Sequence, residues 1–534
     1  MSKVVVVAGV QSRQHYMTVN NRLRQSVGAS RLMELAIGDL KRFGGLELYT
    51  GGGNAAIVYD DEDEARKCVR KWSREWLERA PDIRLVAGMA TVDKCLRDAW
   101  VIARRQRLPE YEEGGAYGCE LGYLPLTLNC PDTGRAAQVY NRDRRRWLSA
   151  EASIKDDTGR SFNDDLNNGR VEPGSLEEKL YLRVLQRDQF QFALDLEHLG
   201  LQLGARHIAI VHCDGNDMRT LFGELDDESG PQYPVYEDDE LFAGRVREIS
   251  EGARDASQEA LLQTFEGIGG RTQGWIDADK LERIEQPGTG IPFFPARLLV
   301  TSGDDANWIC AARLGLGSAV EYCRNFERTS LRYGGMRRTA CAGVVIVPAG
   351  FPYRRAYELA SELCASAKAA RKNVAEWLPY SFIDFHVITE GSSSDLKEIR
   401  RLAYRGHVIP SRKLEPEVPH LHNRPLRIDP AVPPGAPPGS HETWSAFHAH
   451  WQYFQKYWGR ARSRVKRLLE ETAASYDRGK ECADLFLSQD YKLPPDCRKP
   501  EECFDALELY DFYLPWDTLV VNNEEEDAHA AAAR

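Results

Sequence analysis

The feature that most constrains this chain is a faint internal repeat. One copy reads Leu46-Glu-Leu-Tyr-Thr50, then Gly51-Gly52-Gly53-Asn54, then Ala55-Ala-Ile-Val-Tyr59. The other reads Arg297-Leu-Leu-Val-Thr301, then Ser302-Gly303-Asp304-Asp305, then Ala306-Asn-Trp-Ile-Cys310. Each is a strand-like run, four turn-forming residues and a second strand-like run, which is the pattern of a β-hairpin. Both hairpins are followed by a helix pattern, a strand and another helix pattern. In the first these are Asp63–Ala80, the strand with Val86-Ala87-Gly88-Met89, and Val92 to about Leu108. In the second they are Ser318–Phe326, the strand with Cys341-Ala342-Gly343-Val344, and Tyr353–Lys372. Thr50 and Thr301 lie 251 positions apart, and Ala87 and Ala342 lie 255 apart. An offset held across several elements indicates two related α+β units. The plainer alternative is two unrelated hairpins with glycine turns.

Each unit has a plausible opening. Val4-Val5-Val6-Val7-Ala8 reads as a buried strand, followed by helical spacing over Val19–Phe43. His207–Cys213 reads as a second buried strand and ends on the turn Asp214-Gly215-Asn216-Asp217. The expected division of the 534 residues is a first unit over 1–180, a second over 181–413, a Pro-rich linker over 414–440 and a C-terminal helical region over 441–534. Within the first, Gly114–Asp165 reads as a loop-rich insertion whose Arg144-Arg145-Arg146 run is a solvated loop. Glu224–Glu240 reads as a solvated acidic insertion. Trp444–Leu487 reads as a small helical bundle, and the tail from Asn522 as disordered.

Charge narrows the function. Against 70 Lys and Arg stand 81 Asp and Glu, for a formal charge of −11. Such a chain does not bind DNA or RNA through bulk charge, so any phosphate must be held at a local site with a divalent cation. No apolar stretch approaches the ~18 residues of a membrane span. The N-terminal apolar run is too short for a signal peptide and suits a strand. The 12 cysteines contain no C-x-x-C pair and read as reduced cytosolic thiols, which places the protein in the cytoplasm. Cys119 and Cys130 would be half of a zinc site, with no second pair of ligands in evidence.

The chemistry-bearing residues lie at strand ends. Asp214 sits at the exit of a buried strand, and Asp304 and Asp305 at a hairpin tip. If those elements pair in one sheet, three carboxylates meet, and their repulsion is tolerable only around a cation. Oxygen ligation points to Mg²⁺ or Mn²⁺, the usual clamp for phosphoryl and nucleotidyl transfer. Gly303 gives the turn its backbone freedom and lets a phosphate approach the main chain. Taken singly, Ser302–Asp305 and Asp214–Asp217 are also ordinary turns. Their pairing inside a repeat is what favours a site. Gly215, Asn216 and Ser302 belong to the same candidate nucleotide cradle. The first unit has Gly51, Gly52, Gly53 and Asn54 at the matching tip. It lacks the acids to hold metal but can let a base or ribose pack on the backbone. Lys368, in Ala365-Ser-Ala-Lys368, is placed to neutralise a triphosphate, or is simply an exposed helix lysine. His207 and His212 read as structural. No His-Asp dipeptide occurs, so a nuclease built on that pair is not visible.

These residues resemble the two palm domains of the large polymerase/cyclase subunit of type III CRISPR effector complexes. The resemblance is carried by Asn21-Arg22-Leu23-Arg24-Gln-Ser-Val-Gly28-Ala29-Ser30-Arg-Leu32, Tyr49-Thr-Gly51-Gly52-Gly53-Asn54 and Asp214-Gly215-Asn216-Asp217-Met218. Ser302-Gly303-Asp304-Asp305 is similar to the family's GGDD signature. Ala342-Gly343-Val344 and Glu362-Leu363-Cys-Ala-Ser-Ala367-Lys368 agree in place and order over about residues 1–430. The resemblance implies an α+β fold of two ferredoxin-like palm domains. It implies Mg²⁺ or Mn²⁺ on Asp214, Asp304 and Asp305, and two ATP molecules between the palms. The 3′-hydroxyl of one would attack the α-phosphate of the other, giving cyclic oligoadenylate signals in antiviral defence. Implied partners are RNA-guided effector subunits or, for a stand-alone relative, a nucleotide-gated effector. The signature opens on Ser302 instead of glycine, and neither the family's N-terminal nuclease domain nor its intact cysteine-rich zinc element is visible. A non-catalytic nucleotide-binding scaffold or sensor is the alternative function. A diguanylate-cyclase-like enzyme is a third, disfavoured because such enzymes pair single units.

Overall fold

An uninterrupted valine run has no polar face to offer water, so it suits a strand covered on both sides. In the computed structural model it forms β1 (Val4–Val10), buried along its whole length. The structure describes residues 2–516 except 21, 52, 109–127, 143, 187–188, 200–205, 219–221, 223–224, 226–237, 287, 373–379, 389–394, 404–422 and 429–442. Helix α1 (Leu23–Asp39) leads from β1 to the hairpin β2 (Leu46–Gly51) and β3 (Asn54–Tyr59). Helix α2 (Glu62–Arg79) then leads to β4 (Leu85–Thr91), and α3 (Leu96–Ile102) follows. The sheet is antiparallel throughout, in the order β2-β3-β1-β4. Helix α2 starts where Asp61 accepts a hydrogen bond from the Glu64 amide (2.7 Å), with Glu62, Asp63 and Glu64 against the positive end of the helix dipole. Its Ala65, Cys68, Trp72 and Trp76 recur at helical spacing and are buried. The Trp72 indole donates to the Ala36 carbonyl of α1 (2.7 Å).

Between the units lie a small hairpin, β5 (Val139–Asn141) and β6 (Arg146–Leu148), and helix α4 (Ala150–Asn167). The loop-rich expectation for residues 114–165 fails here: its last part is an 18-residue helix, while residues 114–127 and 143 lie outside the described ones. The helix escapes a hydrophobic pattern because it buries Glu151, Lys155 and Asp156, each in an ion pair. Arg144 and Arg146 are correspondingly not solvated. Arg144 pairs with buried Asp156 (3.1 Å) and Arg146 with Asp132 (2.8 Å). Helices α1 and α4 cross backbone to backbone at two glycines. A Cβ on Gly28 would lie 1.9 Å from the Lys155 carbonyl oxygen, and one on Gly159 2.1 Å from that of Arg24. Cys119 lies outside the described residues, and Cys130 is buried.

The second sheet is built from β7 (His207–Gly215), β8 (Ala296–Ser302), β9 (Asp305–Ala311) and β10 (Ala340–Pro348). Helix α5 (Asp239–Asp277) joins β7 to β8, and α6 (Gly315–Gly334) joins β9 to β10. The order β8-β9-β7-β10 repeats that of the first sheet. Helix α7 (Tyr353–Lys372) then carries the chain to β11 (Ser381–Val387), parallel to β10. Helix α8 (Leu396–Ala403) follows, and β12 (Leu426–Ile428) closes that edge antiparallel to β11. The Pro-rich segment is therefore not linker throughout: Leu426 and Ile428 are buried in a strand, and the rest of 414–440 falls mostly outside the described residues. Most of the acidic stretch 224–240 also lies outside them, although Asp238 caps α5.

Helix α5, 39 residues and about 58 Å long, ties the halves together. Phe242, Val246 and Ile249 pack on the outer face of the first sheet with Trp100, while Ala260, Phe265, Ile268 and Trp275 enter the core of the second. Another apolar cluster joins β1, α1 and α2 to Ile208, Ile210, Val345 and the α7 side chains Tyr353 and Leu363. The C-terminal bundle consists of α9 (Trp444–Trp458), α10 (Arg462–Ala474) and α11 (Tyr476–Leu487), as the periodicity predicts. Trp444, Phe447, Trp451, Phe454 and Trp458 form its buried stripe, and Phe447 reaches Phe385 of β11 (6.0 Å). The tail from 517 lies outside the described residues. Among the described residues, no helix is long and apolar enough to cross a membrane.

Candidate functional site

The register of the second sheet decides which acids meet. Asp214 on β7 lies directly opposite Asp305 on β9, and Cys341 of β10 flanks it on the other side. Asp305 also closes the hairpin against Ser302, which leaves Gly303 and Asp304 as a two-residue turn. Gly303 has φ +68°, the left-handed region that favours glycine. Opposed residues share a face, and so do residues two apart on one strand. His212, Asp214, Asn307 and Asp305 therefore line one face of the sheet. One ligand atom each from His212, Asp214 and Asp305 lie within 4.8 Å of one another.

Asp304 does not belong to that trio. A Cβ on Gly215 would lie 3.0 Å from the Asp304 Cβ and 3.1 Å from Phe326 of α6, so this turn residue stands beside the opposite face. Its carboxyl is pushed up to about 8, first by burial and then by the charges of Asp305 and Asp214. The turn thus delivers Asp305 to the carboxylate pair and leaves Asp304 beside it. The Gly215 amide donates to the Asp304 carbonyl (3.3 Å), which fixes the turn to the end of β7. Asn216 is buried, with its amide side chain donating to Thr339 Oγ1 (2.8 Å) and its backbone N–H to the Thr339 carbonyl (2.9 Å). It anchors the turn to the start of β10.

Lys368 projects from α7 onto this face and forms an ion pair with Asp214. It can do so because α7 lies against the backbone of β10 at Gly343, where a Cβ would come within 2.1 Å of the Ala360 carbonyl oxygen. Burial alone would lower the lysine's pKa, but Asp214 outweighs it and raises it. One turn away, Arg371 pairs with Asp217. Sequence reasoning took His212 as structural, yet it is in the trio. Burial lowers its pKa and favours neutral imidazole, and its Nδ1 contacts Asn307 Oδ1. The signal available was alternation, since His212 and Asp214 sit two apart on one strand.

In the first unit, Gly51 and Asn54 close the other hairpin around Gly52 and Gly53. Gly52 lies outside the described residues. Gly53 has φ +70° and is covered by Arg13, whose Nη1 a Cβ would approach to 2.4 Å. The Asn54 side chain lies over Gly9 of β1, and Gly51 faces Ser250 of α5. Arg13 extends toward the second unit. Burial, Tyr353 and Asp305 raise the pKa of the Tyr357 hydroxyl on α7, while Arg13 opposes them. The Tyr357 ring in turn meets His212 edge-on (6.0 Å). No sequence pattern singled out Arg13.

No family model and no curated protein matches this chain. Among solved structures, a Csm1–Csm4 cassette in complex with cA4 is similar over 95% of this chain and 69% of its own, at 13% identity and a TM-score of 0.45. A Csm1–Csm4 cassette in complex with one ATP covers 96% and 70%, at 13% identity and a TM-score of 0.46. Csm1 from T. onnurineus covers 95% and 70%, at 14% identity and a TM-score of 0.43. The structural neighbours of this chain are thus Csm1 proteins, alone or with Csm4.

Proposed function

We propose that the chain is a divalent-cation-dependent nucleotidyltransferase that joins nucleoside triphosphates, ATP foremost, into cyclic oligonucleotides. The observation that supports this reading is the placement of Asp214 and Asp305 as opposed residues on neighbouring strands, with His212 and Lys368 at hand. Like charges in that position repel, and a cation relieves them. Carboxylate oxygens with one imidazole nitrogen form a donor set suited to Mg²⁺ or Mn²⁺. When bound, such an ion offsets phosphate charge on the attacked triphosphate.

This chain's own residues do the rest of the positioning. Lys368 can turn from Asp214 to a phosphate oxygen, and the Gly303 turn lets a phosphate approach the main chain. Gly51, Gly53 and Asn54, with Arg13 beside them, are assigned to the second nucleotide. The 3′-hydroxyl of one nucleotide attacks the α-phosphorus of the other, and pyrophosphate leaves. Asp304, which the resemblance also assigns to the cation, stands at the turn beside this pair. The sequence resemblance adds the palm domains, the antiviral setting and the RNA-guided or nucleotide-gated partners.

The test is to incubate the full chain with Mg²⁺ or Mn²⁺ and each labelled triphosphate, with and without RNA. Pyrophosphate and cyclic or linear oligonucleotides are expected, and Asp214→Asn with Asp305→Asn should abolish both. Nucleotide binding without turnover under every condition identifies a sensor instead. Equal turnover by the double variant overturns the site.

A further inference from the structure

The C-terminal bundle contains a second group of ligating side chains, far in sequence from Asp214 and chemically unlike it. His450 on α9 is buried, and its Nε2 lies 2.8 Å from Asp496 Oδ2 and 3.4 Å from Cys497 Sγ. Cys497 Sγ lies 3.9 Å from Asp496 Oδ1, and one ligand atom from each of the three falls within 4.8 Å of the others. The Cys503 thiol stands next to this group and donates to the Pro500 carbonyl (3.4 Å). Zinc–sulfur bonds of about 2.3 Å and zinc–nitrogen or zinc–oxygen bonds of about 2.0–2.2 Å set tetrahedral ligand atoms roughly 3.3–3.8 Å apart. The observed separations bracket those edges.

The surroundings fit a structural ion. Cys497 and Cys503 belong to the apolar core, with Phe454, Phe486 and Leu507. Asp496 is exposed, which gives an ion a path of entry. Two thiols and an imidazole are soft ligands that select zinc over the hard cations suited to the Asp214 face. The group also sits where a staple is useful. The bundle packs on the second sheet, and a metal here would hold α9 and the segment after α11 in register at the edge of that core. His450 comes from α9, Asp496 and Cys497 from the turn closed by the Cys497 amide on the Pro494 carbonyl (2.9 Å), and Cys503 from the end of the 3₁₀ turn Pro500–Cys503.

We propose that His450, Asp496 and Cys497 form three corners of a structural zinc site, with the neighbouring Cys503 thiol turning from the Pro500 carbonyl to complete the tetrahedron, and that the site fastens α9 to the segment after α11. On binding, both thiols release their protons to solvent and the thiolates take up Zn²⁺, with no change of oxidation state.

The experiment uses the full chain, expressed and purified without chelator, incubated with Zn²⁺, desalted, and measured for metal by mass spectrometry. About one tightly held zinc per chain is expected. Cys497→Ser with Cys503→Ser should lose it, while Asp214→Asn should keep it, so the outcome does not depend on the nucleotidyltransferase reading. Because the cysteine variant can misfold, Co²⁺ replaces Zn²⁺ in the wild-type chain as a second measurement. A thiolate-to-cobalt charge-transfer band with intense tetrahedral d–d absorption supports the site. Failure to retain zinc, zinc undiminished in the double variant, a cobalt spectrum without thiolate character, or a Cys497–Cys503 disulfide in the freshly isolated chain each overturns it.

Discussion

Lys368 on α7 forms its ion pair with Asp214, the residue that faces Asp305 across the β7–β9 ladder. The ammonium thus offsets one of the two opposed carboxylates, part of what a divalent cation would do there. On the proposed reading a divalent cation would compete with Lys368 for Asp214, and the lysine would then be free for a phosphate. Lys368→Met removes the competitor. The variant should be less stable without divalent ions, gain more from Mn²⁺ in a thermal-shift titration than wild type, and bind ATP several-fold more weakly. An unchanged Mn²⁺ response would show that the lysine does not guard the acids.

The reach of that lysine depends on a glycine of β10 that lies opposite His212 in the sheet. At Gly343 an added Cβ would lie 2.1 Å from the Ala360 carbonyl oxygen and 2.3 Å from the Cys364 amide nitrogen, both helix backbone that cannot swing aside. Gly343→Ala should push α7 outward at a cost of about 1–3 kcal/mol and separate Lys368 from Asp214. Nucleotide affinity should fall even in a folded variant. Gly350→Ala is the control, because a Cβ there meets nothing within 4 Å. Denaturant melts and ATP titrations of both variants check the pair.

A pH effect is built into the first unit, away from the acid pair. Burial pushes the Asp82 carboxyl up to about 6, with Lys155 opposing and Glu151 reinforcing the rise. The folded state therefore holds a proton that the unfolded chain gives up near 4. By linkage, this group's contribution to stability is full below about 4 and lost as pH rises toward 6, by at most about 3 kcal/mol. Asp82→Asn should flatten the stability curve over that window. Urea midpoints for both proteins, measured between those pH values, make the comparison.

How much of this was legible in the sequence follows from which residues carry it. The hairpins, the repeated order of elements along the chain and the C-terminal helices are written in apolar periodicity, and the Asp214–Asp305 pairing follows once β7 and β9 are adjacent. Helix α4 was hidden because its buried face is ionic, with Lys155, Glu151 and Asp156 neutralised by Asp82, Arg24 and Arg144 from distant parts of the chain. Helix α5 was hidden because its buried face changes partner midway, from the first sheet to the second. The divergence of Asp304 from Asp305 depends on the turn's dihedrals, and the approach of Arg13 on tertiary packing. Neither leaves a trace in local pattern.

Arg297 on β8 presents the opposite case, a charge with little to balance it. It is 1% exposed, its Nη1 donates to Asn163 Oδ1 (2.7 Å), and its guanidinium lies over the Phe192 ring (4.9 Å). Among the described residues it has no carboxylate partner, and burial alone pulls it down to about 9. Arginine keeps its proton in proteins, so that pull measures a desolvation cost borne by the folded state. Arg297→Met fills similar volume without charge and should raise stability by roughly 1–3 kcal/mol. Asn163 belongs to α4 and Arg297 to the second sheet, so the hydrogen bond also sets how the middle helix seats on that unit. If the variant is more stable yet turns over triphosphates more slowly, the buried charge serves alignment of the halves. A variant less stable than wild type, by urea midpoint, would mean that the ring and the amide compensate the charge in full.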